Sequence, residues 1–315
     1  MTVRFDQTSG AIIYPNLEQI LTDLRDLRTK SHRSRYSDGR LPRLPSRKAI
    51  VEITDGLVAT LFPRHYGPSG LTDDSRDAFV AFMLTATLQS LQQQIKLERE
   101  LKADGVDALP ACHATRAFEV TNEFAGALPR IREMLEHDIR AAYEGDPAAT
   151  NLDEVMSCYP GVMAIIRHRF AHELYRLGAP MLARIISEIS HSSTGIDIHP
   201  GAQIGEGIFI DHGTGVVIGE TAIIGKRVRL YQAVTLGAKR FEVDEHGALA
   251  KTYPRHPIVE DDVVIYAGAT ILGRITVGRG STIAGNVWLT HSVPPGSTIS
   301  QARPRGETFD DGGGI

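Results

Sequence analysis

At 315 residues the chain has the length of about two domains, each able to bury its own core, and this excludes a miniprotein held together by staples. Hydrophobic residues at 42% and charged residues at 23% are ordinary globular values and exclude wholesale disorder. A net charge of -4 gives no global reason to bind nucleic acid, and apolar stretches such as 78–84 fall far short of the roughly 20 residues that span a bilayer.

The first residues, MTVRFDQTSG, lack the apolar core of a signal peptide. Two cysteines, Cys112 and Cys158, cannot make a disulfide framework, so a reducing, cytoplasmic location is expected. Residues 1–190 read as an α-helical domain, because apolar residues recur at spacings of three and four. One such face runs through Leu17, Ile20, Leu21, Leu24 and Leu27, and a second through Leu84, Leu88, Leu91 and Ile95. A third uses Leu128, Ile131, Met134, Leu135 and Ile139, and a fourth runs from Ile165 through Phe170, Leu174, Leu177 and Met181 to Ile185. Between the first two, the segment at about 31–48 mixes Arg, Ser, Gly and Pro without periodicity, which is the composition of a solvated linker. His168 and His172 share a helix face, but Arg169 stands where the metalloprotease motif needs Glu, so they read as core or interface histidines.

From Ile198 onward the period changes to six, and a second domain is expected over 191–300. Aliphatic beats fall at Ile198, Ile204, Ile210, Ile218, Ile224, Leu230 and Leu236, with a two-residue insertion before Ile218, and resume at Val259, Ile265, Ile271, Val277, Ile283 and Leu289. Four residues after each beat a small or branched residue recurs, Thr214 taking that place after Ile210. Hexapeptides of this kind make a parallel β-helix whose beats stack into a ladder inside a three-sided prism, so the fold class is α+β, helices followed by a β-helix. The segment 237–257 is too polar for the prism and is expected to be extruded as a loop, where binding chemistry concentrates. Residues 301–315, rich in Gly and Asp, read as a flexible tail.

Several residues suit chemistry. His212 stands in Ile-Asp-His-Gly-Thr-Gly at a turn, and Asp197 lies near the same corner one coil earlier, close enough for a His-Asp dyad in which the carboxylate fixes the imidazole tautomer. Arg255-His256-Pro257 closes the extruded loop and offers a fork of donors suited to a carboxylate, or to loop carbonyls.

Asp-Ile-His-Pro at 197–200, Asp-His-Gly-Thr-Gly at 211–215 and Arg-His-Pro at 255–257 together resemble the serine O-acetyltransferases of the hexapeptide acyltransferases, over about residues 138–295. The resemblance implies a left-handed β-helix, which periodicity alone does not give. It implies transfer of acetyl from acetyl-CoA to the hydroxyl of L-serine, without a metal, as a step of cysteine biosynthesis. His212 would be the general base and Asp197 its orienting carboxylate, while Asp146, Asp211, Arg255 and His256 would hold serine. Acetyl-CoA would lie near Gly237, Ala267 and Gly285, in a groove between subunits of a homotrimer, trimer and dimer of trimers both staying open. The final Ile315 matches the ending with which such enzymes enter the active site of O-acetylserine sulfhydrylase. The 237–257 loop is longer and poorer in glycine than the family's common form, and the first 110 residues fall outside the resemblance. Competing readings are a hexapeptide acyltransferase for a related hydroxy amino acid, an inert scaffold, and a carbonic-anhydrase-like zinc β-helix using His212 and His256.

Overall fold

The computed structural model describes residues 4–5, 12–13, 16–36, 41–102, 110–240, 249–250 and 253–301. It divides into two compact units, Met1–Leu44 and Pro45–Ile315. The first holds an antiparallel pair, β1 (Arg4–Phe5) and β2 (Ile12–Ile13), and the helix α1 (Leu17–Arg35). The expected apolar face of α1 is present, yet no residue of this helix is buried, because so small a unit offers little surface to cover it. The linker expected from residue 31 is helical as far as Arg35. His32, Arg33 and Arg35 sit in the last turn, where cations favour the helix dipole and where periodicity gave no signal.

The second unit opens with α2 (Arg47–Leu61), α3 (Pro63–Tyr66), α4 (Asp73–Lys102), α5 (Pro110–Gly145), α6 (Leu152–Cys158), α7 (Pro160–Arg176) and α8 (Pro180–Thr194). Local chemistry sets several boundaries. Ser46 caps α2 by accepting from the Ala49 N–H, Asn151 caps α6 by accepting from Glu154, and Pro160 and Pro180 open α7 and α8 where a missing N–H costs nothing. The fourth sequence face is therefore two helices. The left-handed Gly178 and the following Pro180 break it, which leaves Met181 37% exposed. Helix α8 runs on to Thr194, past the boundary expected at 190, and ends on Gly195 at φ 72°.

From there the chain winds in coils of three short strands. The first coil is β3 (Asp197–Ile198), β4 (Gln203–Ile204) and β5 (Phe209–Ile210), and the second is β6 (Val217–Ile218), β7 (Ile223–Ile224) and β8 (Arg229–Leu230). The third is β9 (Thr235–Gly237), β10 (Ile258–Val259) and β11 (Val264–Ile265), and the fourth is β12 (Thr270–Leu272), β13 (Thr276–Val277) and β14 (Thr282–Ile283). Strands β15 (Trp288–Leu289) and β16 (Thr298–Ile299) end the stack. Strands β3, β6, β9, β12 and β15 form the first face, β4, β7, β10 and β13 the second, and β5, β8, β11, β14 and β16 the third, all paired in parallel. This is the left-handed parallel β-helix expected, and every aliphatic beat named above is buried, from Ile198 to Leu289. The register stacks like on like, as in Ile198↔Ile218↔Leu236↔Ile271↔Leu289.

One inward position differs from the sequence reading. Thr214 is exposed and Val216 fills the prism instead, because the two inserted residues sit before it, in a corner held open by positive φ at His212, Gly213 and Gly215. Between β9 and β10 lie residues 238–257, of which 241–248 and 251–252 fall outside the described residues, as do 302–315 with Ile315.

A buried ion pair docks the helices on the β-helix. Arg169 of α7 donates to both oxygens of Asp138 on α5 at 3.0 and 3.1 Å and to the carbonyls of Ile204 and Gly205. Asp138 Oδ1 also accepts from the N–H groups of Gly207 and Ile208 at 2.8 and 3.0 Å. Burial pushes the Asp138 carboxyl up, and Arg169 and the two N–H groups oppose that push. A second buried carboxylate, Glu98 of α4, accepts from the first N–H groups of α8 at Met181 and Leu182, both at 3.0 Å. At Gly161, opening α7, a Cβ would stand 2.2 Å from the Ile210 carbonyl oxygen, so helix and strand meet backbone to backbone one residue before Asp211.

Candidate active site

The corner between the third and first faces carries the first cluster. Asp211 follows β5 and is mostly buried, while the His212 side chain is 69% exposed, with its Nδ1 3.7 Å from Asp211 Oδ1. His212 adopts φ 58°, the left-handed corner conformation that Arg227, Ala233, Asp262 and Asn286 also take in this β-helix. The next glycine cannot be replaced without displacement, since a Cβ on Gly213 would lie 2.4 Å from Ile196 Cδ1. Asp146, just past the end of α5, turns back through Oδ1 to accept from the Ala148 N–H at 2.8 Å. Its Oδ2 accepts from the Tyr159 hydroxyl at 2.5 Å. Tyr159 above all, then the Ala148 N–H, holds the Asp146 carboxyl below the usual carboxylate range, and the imidazole of His212 is near enough to add to this. The same bond holds the Tyr159 phenol above its ordinary value. Two carboxylates, a phenol and an imidazole thus meet at one corner, where an ammonium and a hydroxyl find acceptors.

The second cluster occupies the corner between the first and second faces. Arg255 Nη2 donates to Glu220 Oε2 at 2.6 Å, and Tyr175 of α7 donates to Oε1 of the same carboxylate at 3.0 Å. Burial pushes Glu220 up, but Arg255 and Tyr175 outweigh it and hold the carboxyl below its usual range. His256 is buried, its Nδ1 accepting from the Thr221 N–H at 3.1 Å, which places the proton of the neutral ring on Nε2. A Cβ on Gly219 would lie 2.0 Å from that ring, so only glycine leaves it room. The loop-carbonyl alternative for Arg255 holds in one contact, Nη1 to the Tyr253 carbonyl at 3.3 Å.

The structure thus joins Asp146, Asp211 and His212 at one corner and Arg255 with His256 at another, and a single chain does not join the two groups. The Asp197 carboxylate lies with Glu188 and His191 of α8, their ligand atoms within 4.8 Å of one another. No hydrogen bond or ion pair joins Asp197 to His212 among the described residues, although Gly215 bonds the Gly195 carbonyl at 2.9 Å and brings the two turns together. Ala267 and Gly285 stack on successive coils at the His212 corner, whereas Gly237 ends β9 at the Arg255 corner. His168 is buried, with a pKa pushed well down by burial, and His172 bonds the Pro200 carbonyl, as core histidines do. Sequence reasoning missed Tyr159, Tyr175, Glu220 and Thr221. Glu220 follows a ladder beat at a corner, the one signal that could have marked it.

Burial, with Arg255 adding for His256 and Arg184 for His199, pushes both imidazoles down to about 4 from 6.5. Below pH 6.5 the unfolded chain takes up protons that the folded chain refuses until about 4, so their contribution to stability is full above 6.5 and is lost as pH falls through that window. Urea midpoints are expected to drop between about pH 7.5 and pH 5, and the drop should shrink in His199→Gln. Equal slopes in the two proteins would show that another group governs it.

A helical unit docked on a three-sided left-handed parallel β-helix, with acid and imidazole gathered at a prism corner, defines the class of hexapeptide-repeat acyltransferases. No protein-family model matches the chain. A Synechococcus elongatus protein named serine acetyltransferase, plasmid, is 59% identical over 275 residues, covering 86% of each chain. Serine acetyltransferase 1 of Entamoeba histolytica, solved in complex with L-cysteine, superposes with a TM-score of 0.70 at 37% identity, over 79% of this chain and 86% of that one. The soybean serine acetyltransferase complexed with serine gives 0.52 at 30% identity, over 83% and 99%. The chain belongs to the serine acetyltransferase family and is an acyltransferase.

Proposed function

We propose that His212 acts as the general base in direct transfer of acetyl from acetyl-CoA to L-serine. The observation that carries this reading is the corner itself, an exposed imidazole beside Asp211 and Asp146. The serine Oγ attacks the thioester carbonyl carbon while His212 takes its proton. The tetrahedral intermediate then expels the coenzyme thiolate, which takes the proton back from the imidazolium, giving O-acetylserine and CoA. Asp197 orients the ring and stabilises the imidazolium, a role supported by the bond from Gly215 to the Gly195 carbonyl that brings the two turns together. Asp146 and Asp211 hold the serine ammonium, and Arg255 and His256 its carboxylate.

Two half-sites on different corners become one site only where the His212 corner of one chain faces the Arg255 corner of another. A cyclic homotrimer achieves this with one repeated heterologous contact, and the acetyl-CoA groove then has Ala267 and Gly285 on one wall and Gly237 on the other. L-Cysteine, found in the Entamoeba complex, matches serine at both charged ends and would compete at the same place in this chain. The free, exposed Cys112 and Cys158 suit a reducing cytoplasm. The terminal Ile315, outside the described residues, remains the proposed anchor for O-acetylserine sulfhydrylase.

Steady-state kinetics test the division of labour. Arg255→Ala and Asp146→Asn are expected to raise the serine KM by about tenfold or more, with a far smaller rise in the acetyl-CoA KM. Equal rises for both substrates would overturn the assignment.

A further inference from the structure

Helix α1 carries an apolar stripe with a spacing that its own unit does not use. Leu17, Ile20, Leu24 and Leu27 are separated by three, four and three residues, the a and d positions of two heptads. Their exposures are 49%, 49%, 47% and 62%, with Leu21 beside them at 49%. In the same frame Asp23 occupies a g position and Arg28 the e position of the following heptad, which is the pair that meets across neighbouring helices in a parallel coiled coil. Leucine at a combined with isoleucine at d, as at Leu17 and Ile20, favours three or four strands over two. The apolar seam stops after these two heptads, since Ser31 and Ser34 occupy the next a and d positions. Gln19 donates to Asp23 Oδ1 at 2.8 Å, which leaves Oδ2 for a cation on a neighbouring helix, and Thr22 donates to the Glu18 carbonyl at 2.9 Å.

We propose that α1 is a self-association element, and that its occupant is α1 of other copies of this chain in a parallel three-stranded coil. The Asp23 and Arg28 pairing selects the parallel arrangement, because chains running in opposite directions would not bring g of one heptad to e of the next. Two heptads are too short to hold strands together unaided, so the coil rests on the trimer proposed above, which supplies the high effective concentration. The helix spans about 28 Å at 1.5 Å per residue, long enough for four apolar layers. Its role goes beyond catalysis, since no residue placed in the active site belongs to it.

The test uses the full-length chain with Cys112 and Cys158 replaced by serine, and single cysteines introduced by Leu17→Cys, Leu24→Cys, Leu27→Cys and, on the outer face, Thr22→Cys. Mild oxidation should link chains through each of the three seam positions with yields at least about fivefold above Thr22→Cys. Linkage only in a Leu17→Cys, Leu27→Cys double variant would show antiparallel pairing and overturn the proposal. Light scattering on the same samples separates the two readings. Trimers without seam-specific linkage would overturn the coil while sparing the trimer, whereas monomers would overturn the trimer itself. Charge reversal adds an independent readout: Asp23→Arg should lower linkage at Leu24→Cys several-fold, and Arg28→Asp in the same chain should restore it. Sedimentation of α1-intact protein with phosphatidylglycerol vesicles, in the absence of seam linkage, would assign the stripe to a lipid surface and overturn the proposal.

Discussion

Replacing His212 by alanine is expected to lower turnover by about 10²- to 10⁴-fold while the protein stays folded. A serine hydroxyl is a poor nucleophile near neutral pH, and imidazole, with an ordinary pKa of about 6.5, is suited both to take its proton and to return it to the thiolate. The fold should survive because the side chain is 69% exposed, so its removal leaves no cavity. Alanine tolerates the left-handed backbone of this position less well than histidine does, so His212→Asn, which accepts that conformation, separates chemistry from strain. Both variants should lose turnover alike when thiol release from acetyl-CoA is followed at saturating serine, and His212→Asn should melt with the wild type. Near-normal turnover in either would remove His212 from the mechanism.

The second large effect concerns stability. Arg169→Ala should destabilise the protein by about 3–5 kcal/mol, because it strands the Asp138 carboxylate in a buried site and leaves the Ile204 and Gly205 carbonyls short of a donor. Asp138→Ala should cost a similar amount, and the double variant clearly less than the sum, since each single change already breaks the same network. Guanidinium denaturation of the four proteins measures all three quantities. Asp138 also lies on α5 upstream of Asp146, so a loosened dock should displace Asp146 and raise the serine KM ahead of any loss in kcat. Additive costs would mean that the pair does not couple α5 and α7 to the β-helix.

The β-helix was legible because its interior is close to one-dimensional: a single aliphatic beat per strand decides burial, and a beat of six is visible without any tertiary information. Thr214 and Val216 show where that legibility ends. Two extra residues can bulge before or after the next inward position, and only backbone conformation decides which. The chemistry-bearing motifs were legible through resemblance, yet their partners were not. Glu220 meets Arg255 across 35 positions, and Tyr159 reaches Asp146 from the far side of a helix, distances that no periodicity encodes. In the sequence Arg169 reads only as a residue that spoils a metal motif. Its task of docking two architectures depends on Asp138 and on strand-end carbonyls that no local pattern announces. The exposure of α1 was equally hidden, since an amphipathic stripe reads the same whether its cover comes from its own chain or from another.

The separation of the Asp146–Asp211–His212 corner from the Arg255–His256 corner has a genetic consequence. On the proposed trimer every site draws its base from one polypeptide and its carboxylate clamp from the next, so a lesion in either half disables sites without marking which subunit is at fault. Two impaired alleles, His212→Ala and Arg255→Ala, the second at serine well below its raised KM, should then complement within mixed oligomers, because a contact joining an intact base to an intact clamp arises by chance in about one quarter of the interfaces. Co-expressed chains would regain up to about that share of wild-type turnover, and heterozygous cells would outgrow either mutant parent. An enzyme with a complete site in each chain would show no such rescue.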